Sequence, residues 1–316
     1  MKLKEIYELA VEMGIESDPR GKEQVLKALE KEKKRYEKLS EKEKEEYDLE
    51  KLTNPYSDTR VYLGDFEQEV NTVLVGIDME IGEVLLADRL TEKGTKIDLI
   101  ITHHPEGQGI AKLYEVMHLQ EDILHQLGVP INVAEGIMAP RIGEVKRGLM
   151  PLNHNRAIDA ARLLGYAFMS VHTPADNLVT TYLTNYFAEK NPETVGEIVD
   201  FLKELPEYKE ATKIGAGPTI VVGAPERRCG KIFVDMTGGT SGSDEMFSKL
   251  STTEVGTIVT MHLSEKHKKE AEKHNINVVI AGHMASDSLG MNLWLDRLEG
   301  KGVKVVATSG LIRVKR

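Results

Sequence analysis

Three short runs carry side chains that could hold a metal ion or move a proton, and each follows an apolar stretch of the 316-residue chain. His103 and His104 stand side by side after DLIIT, and Glu106 lies two residues on. His172 and Asp176 follow YAFMSV, and His283 and Asp287 follow NVVIAG. Mixed imidazole and carboxylate donors suit zinc, iron, manganese or nickel better than calcium. Two such ions about 3.5–4 Å apart can share a water and bring its pKa down to near 7. The one cysteine, Cys229, excludes an intramolecular disulfide and cysteine-rich zinc sites, and it fits a reducing compartment.

Spacing alone is weak evidence. With 51 acidic residues in the chain, about 1.6 of the ten histidines should have Asp or Glu four positions later by chance. Three do: His118 with Asp122, His172 with Asp176, and His283 with Asp287. The first pair lies inside a predicted helix and reads as an ordinary helix-face pair. The others follow strands directly, where parallel α/β sheets present ligands. Neighbouring strand residues face opposite sides, so His103 and His104 converge only if the backbone turns, as Pro105 would allow. Asp287 follows His283 by one helical turn, and Gly282 relaxes the join between strand and helix.

The elements that must position these groups alternate. Strands are predicted in NTVLVGID, DLIITHH, VPINVA, YAFMSVH, GPTIVVGAP, KIFVDMTGG, GTIVTMH, NVVIAGH and VKVVATS, with helices between them. KLYEVMHLQEDILHQLG reads as one helix, and residues 191–215 as a helix and a loop. This is an α/β protein with mostly parallel or mixed sheets. We divide it into a helical N-terminal extension (1–60), a first lobe (61–211) and a second lobe (212–316), with the metal site between the lobes. No repeat of 20–50 residues is visible. The charged run after Leu29 reads as a solvated helical arm, and Trp294 as core.

Net charge is −10, which opposes a nucleic-acid backbone. No apolar run approaches the roughly 20 residues of a membrane span. The charged, helix-patterned start is no signal peptide, so a cytoplasmic protein is expected.

The three clusters in this order, with TVLVGID, DLIITHHPE, GGTSGSDEM and VIAGHMASD, resemble the Ngg-interacting factor 3-like family, the GTP cyclohydrolase 1 type 2 homologues. The resemblance spans about residues 61–309. It implies a dinuclear site of two divalent ions held by His103, His104, Asp176, His283 and Asp287, with Asp176 bridging and Asp287 where the family usually has Glu. His172 is expected beside the ligands. A toroidal homo-oligomer, often a hexamer, is also implied. Thr260-Met261-His262 departs from the family's Thr-Gly-Asp or Thr-Gly-Glu, and the stretch between His104 and His172 is longer than usual.

The expected activity is hydrolysis of a small molecule, a nucleotide or related heterocycle, by a metal-bridged hydroxide. His172 or Glu106 would move protons. The turn Gly238–Gly242 is either a phosphate cradle at a helix N-terminus or a plain turn. Two other readings stand beside it: a non-catalytic metal-binding scaffold, and a two-metal phosphoesterase.

Overall fold

The computed structural model describes residues 1–316. Three helices open the chain: α1 (Leu3–Glu16), α2 (Lys22–Glu37) and α3 (Glu41–Glu45). Leu3, Ile6 and Ala10 put α1 into the same apolar core as Val73, Ile101 and Trp294. By contrast α2 buries only Val25 and Leu29, and α3 buries nothing, so the charged run is solvated as its composition predicts. Asp48, just beyond, closes a buried ion pair with Arg60 and also takes Lys112 at 2.8 Å.

The first lobe begins with β1 (Val61–Leu63) and β2 (Thr72–Gly76), then α4 (Ile81–Glu92) and β3 (Leu99–Thr102). Between β3 and the next strand run α5 (Gly107–Ala111), α6 (Leu113–Val116), α7 (Leu119–Gln126), α8 (Ile131–Leu149) and α9 (Arg156–Leu164). Two local expectations are corrected here. VPINVA is no strand: Pro130 caps α8, and INVA is its first turn. Ala134, Ile137, Met138 and Ile142 recur at helical spacing and are buried together, and this packing outweighs the local β preference of Ile and Val. The run KLYEVMHLQEDILHQLG breaks at Met117–His118 into α6 and α7. The helices α6 to α8 do not stay on their own lobe. Met117, Ile123 and Met138 share a core with Phe233, Ile258 and Val278 of the second sheet.

After β4 (Ala167–Ser170) comes α10 (Thr173–Lys190), and then α11 (Val195–Glu204) and α12 (Pro206–Lys213), two helices where a helix and a loop were expected. Pro206 starts the second of them at its first turn. The remaining elements are β5 (Thr219–Val222), β6 (Lys231–Asp235), α13 (Met246–Leu250), β7 (Val255–Thr260), α14 (Glu265–Lys273), β8 (Asn277–Ile280), α15 (His283–Gly300) and β9 (Lys304–Ala307). No helix is long and apolar enough to cross a membrane.

The first sheet has the order β1-β4-β3-β2-β9 and the second β5-β8-β7-β6. In each, one edge strand is antiparallel (β1 on β4, β5 on β8) and every other pairing is parallel. The chain's last strand therefore completes the first sheet, beside β2. Without β9 the two sheets have one topology, strand for strand, a duplication longer than any repeat sought in the sequence. His104 follows β3 as His262 follows β7, and His172 and Asp176 follow β4 as His283 and Asp287 follow β8.

The two helices that carry those last pairs, α10 and α15, pack against each other. Their approach depends on Gly290: a Cβ there would lie 2.2 Å from the carbonyl oxygen of Ala175. Glycine at this crossing lets the two backbones come together, and the residue after Ala175 is Asp176.

Candidate metal centre

Each strand end delivers its side chains by a distinct local device. At the end of β3 the chain bends. The amides of His103 and His104 donate to the carbonyls of Gly76 and Ile77, at 3.0 and 2.9 Å. The Thr102 hydroxyl donates to the His104 carbonyl at 2.8 Å. Both imidazoles thereby reach the same side, with ring centroids 5.2 Å apart. At the end of β4, His172 caps α10, with Pro174 in its first turn and Asp176 one turn on. At the end of β8, Gly282 takes φ of 116°, and α15 starts at His283. A side chain at Gly282 would meet the Ala216 carbonyl as well as an unfavourable backbone.

The structure brings His103, His104, His172, Asp176, His283 and Asp287 together. Their ligand atoms form three overlapping groups that could hold a metal ion: His103, His104 and His172; His104, His283 and Asp287; His103, Asp176 and Asp287. Asp287 is central. One of its oxygens lies 3.5 Å from Nε2 of His103, and the other lies 3.4 Å from Nε2 of both His104 and His283. Asp176 lies 3.4 Å from Nε2 of His103 and 3.8 Å from Nε2 of His172.

The other ring nitrogens explain why Nε2 faces inward. Nδ1 of His103 donates to the Val171 carbonyl at 2.9 Å. Nδ1 of His104 donates to Asp78 at 2.7 Å, and Nδ1 of His172 donates to Asp58 at 2.8 Å. An Nδ1 held as donor leaves the Nε2 lone pair free for a cation, the usual support of a metal-binding histidine. Asp58 is fully buried and also accepts from the Thr173 hydroxyl at 2.6 Å. Neither Asp58 nor Asp78 was anticipated. Asp78 lies just past an apolar strand, so the strand-end rule that found the histidines would have found it. Asp58 is hidden in a segment that reads only as a turn.

The acids and imidazoles of the cage are strongly coupled. Both Asp287 oxygens are buried with no hydrogen-bond donor. Burial works against its ionisation, yet attraction from His103, His104 and His283 holds its pKa far below the carboxylate range. Burial, with repulsion from Asp287 and Asp58, drives Asp176 well above that range against the pull of His103. Burial disfavours a charged His104, but Asp287 and Asp78 outweigh it and raise its pKa to about 10. Burial lowers His283 to about 4. Opposite shifts on two buried acids, beside imidazoles shifted in opposite directions, mark a cluster whose members act directly on one another. The donor set and the orphaned carboxylate fit a divalent metal ion.

Other sequence candidates lie elsewhere. Glu106 makes no hydrogen bond or ion pair with the site histidines; it precedes α5, and burial beside Glu80 raises its pKa to about 7. His118 pairs with Glu121 at 3.1 Å, outside the cage. Gly238 and Gly239 take positive φ, and Gln120 donates to the carbonyls of Gly238 and Thr240 at 2.7 and 2.8 Å. The helix that follows, α13, has five residues. The glycine-rich turn is thus a tight loop tied to α7. His262, on the departing Thr260-Met261-His262 stretch, stands with its ring 5.2 Å from that of His283.

No protein-family profile and no curated protein matches the chain. Among solved structures it is similar to a NIF3 superfamily protein from Sphaerobacter thermophilus, at 24% identity and a TM-score of 0.75, over 97% of this chain and 98% of that one. It is also similar to reduced HcgD from Methanocaldococcus jannaschii, at 15% identity and a TM-score of 0.50, over 78% of this chain and 87% of that one. The chain has the fold of NIF3 superfamily proteins, and a His/Asp cluster able to bind metal lies where its two sheets' strands end.

Proposed function

We propose that this chain is a metal-dependent hydrolase acting on a small molecule, a nucleotide or related heterocycle, with two divalent ions in the His/Asp cage. The observation that carries the reading is Asp287: a buried carboxylate without a hydrogen-bond donor, its two oxygens turned to different histidines. His103 and Asp176 would complete one ion's ligands, and His104 and His283 the other's, with Asp287 shared between them. Asp287, which belongs to both groups, would be the shared carboxylate in this arrangement, where the resemblance gave that part to Asp176. Bound there, divalent ions supply Lewis acidity and a water whose pKa falls to near 7.

The chain's own groups divide the remaining work. Asp58 fixes His172 with its Nε2 towards Asp176, so His172 can take or return a proton at Nε2. It is better placed for this than Glu106. Asp78 and the Val171 carbonyl orient His104 and His103. A cleft adjoins the cage and includes His172, Asp176, His283 and Asp287 in its lining. A turnover site needs such a space, and a metal-binding scaffold does not.

The test is metal analysis of purified protein beside single alanine variants. Wild type should retain about two divalent ions per chain, Asp176→Ala about one and Asp287→Ala none. Full metal content in Asp287→Ala would refute the shared-carboxylate arrangement. Metal-loaded wild type incubated with GTP, followed by purine absorbance, then reads nucleotide opening directly.

A further inference from the structure

The duplicated topology makes the two sheets comparable position by position. Gly76 ends β2 and pairs with Thr102; Asp235 ends β6 and pairs with Thr260. In the first sheet this place is filled. A Cβ on Gly76 would come within 2.6 Å of Met79 and 2.8 Å of Ser309, in the segment that follows β9. The second sheet has no strand beside β6. There the equivalent place opens into the cleft next to the metal cage, and Asp235 lines it.

Asp235 makes no hydrogen bond or ion pair within the chain and is half-buried, its carboxylate reaching solvent through the cleft. A carboxylate on the wall of a cleft with no partner in the chain is free to accept from a ligand, and it favours groups that donate over groups that accept. The rest of the lining limits that ligand. Met236, Met246 and Met261, each slightly exposed, form the apolar part of the wall. At the mouth, exposed His262 pairs its Nδ1 with the Ser241 hydroxyl at 3.1 Å. No lysine or arginine lines the cleft. The guanidinium of Arg141, behind the loop, is engaged by the Ser241 carbonyl and Glu144. Phosphate groups extending from the cage into this cleft would meet Asp235 and no fixed cation.

We propose that the cleft binds an uncharged, N–H-bearing heterocycle of the cyclic-amide type, with Asp235 accepting its N–H hydrogen bond, in preference to a phosphorylated nucleotide. This deepens the hydrolase reading and rests on it only for where the reacting carbon lies. Methionine side chains adapt to a flat ring, and the unpartnered carboxylate selects donors over acceptors.

The test is calorimetric titration of zinc-loaded protein with hypoxanthine and uracil, each against its nucleoside 5′-monophosphate. The bases should bind more tightly than the nucleotides. Asp235→Asn and Asp235→Leu should weaken base binding on the order of 10–100-fold, with metal content unchanged. Absence of base binding, tighter binding of the nucleotides, or base affinity unaltered in both variants would each overturn the assignment. Base binding that depends on Asp235 without any turnover would leave the cleft assignment standing and remove the hydrolase. Wild type that holds no metal would remove the hydrolase alone, since base binding is read separately on the same preparation.

Discussion

Gly290→Ala tests whether the packing of α10 on α15 assembles the metal centre. The added Cβ would sit 2.2 Å from the Ala175 carbonyl oxygen, where ordinary contact begins at 3.4 Å. Relief requires the helices to part, or that carbonyl to tilt, by about 1 Å, because close-packed interiors have no slack to absorb it. Overpacking of this kind costs roughly 1–3 kcal/mol, which predicts a Tm lower by roughly 2–5 °C for a chain of this length. Asp176 follows Ala175, and Asp287 lies one turn before Gly290, so the displacement acts on both acids of the cage. Metal affinity should fall on the order of 10–100-fold, as it does when the support of a ligand is lost. Calorimetry with and without zinc, and competition against a chelator, read the two effects. Gly136→Ala is the control, since nothing lies within 4 Å of its added Cβ. That variant should gain up to about 1 kcal/mol. Gly290→Ala with wild-type Tm and wild-type zinc affinity would refute the claim that this contact sets the site.

Two further outcomes follow from the site. Asp78→Ala removes the acceptor that holds Nδ1 of His104; chelator competition should show zinc affinity reduced on the order of 10-fold, while the metal-free Tm changes little because Asp78 is exposed. Burial raises Asp235 to about 6 from 3.8. A raised carboxylate pKa contributes stability that is complete below pH 3.8 and lost as pH rises through about 6. Asp235→Asn should therefore flatten the decline in Tm between pH 4 and 7 and leave the ligand-free protein more stable than wild type at pH 7. A decline equal to that of wild type would mean the carboxylate is solvated and the cleft is not as enclosed as drawn.

The sequence alone determined the alternation of strands and helices, the mixed and mostly parallel sheets, and the residues placed at three strand ends. These are local facts: apolar runs of strand length, helical periodicity, and polar residues just past them, all readable within a short window. It misread VPINVA because four apolar residues do not distinguish a strand from a first helical turn, and the burial that decides between them comes from a core shared with the other lobe. It missed Asp58, which reaches His172 across 114 positions of chain. Which carboxylate stands at the centre, which ring nitrogen points inward, and that β9 fills beside β2 the place left open beside β6 were decided only by tertiary structure. Each depends on distances between segments remote in sequence, and those distances are set by how helices and sheets pack, a property that no short window of residues contains.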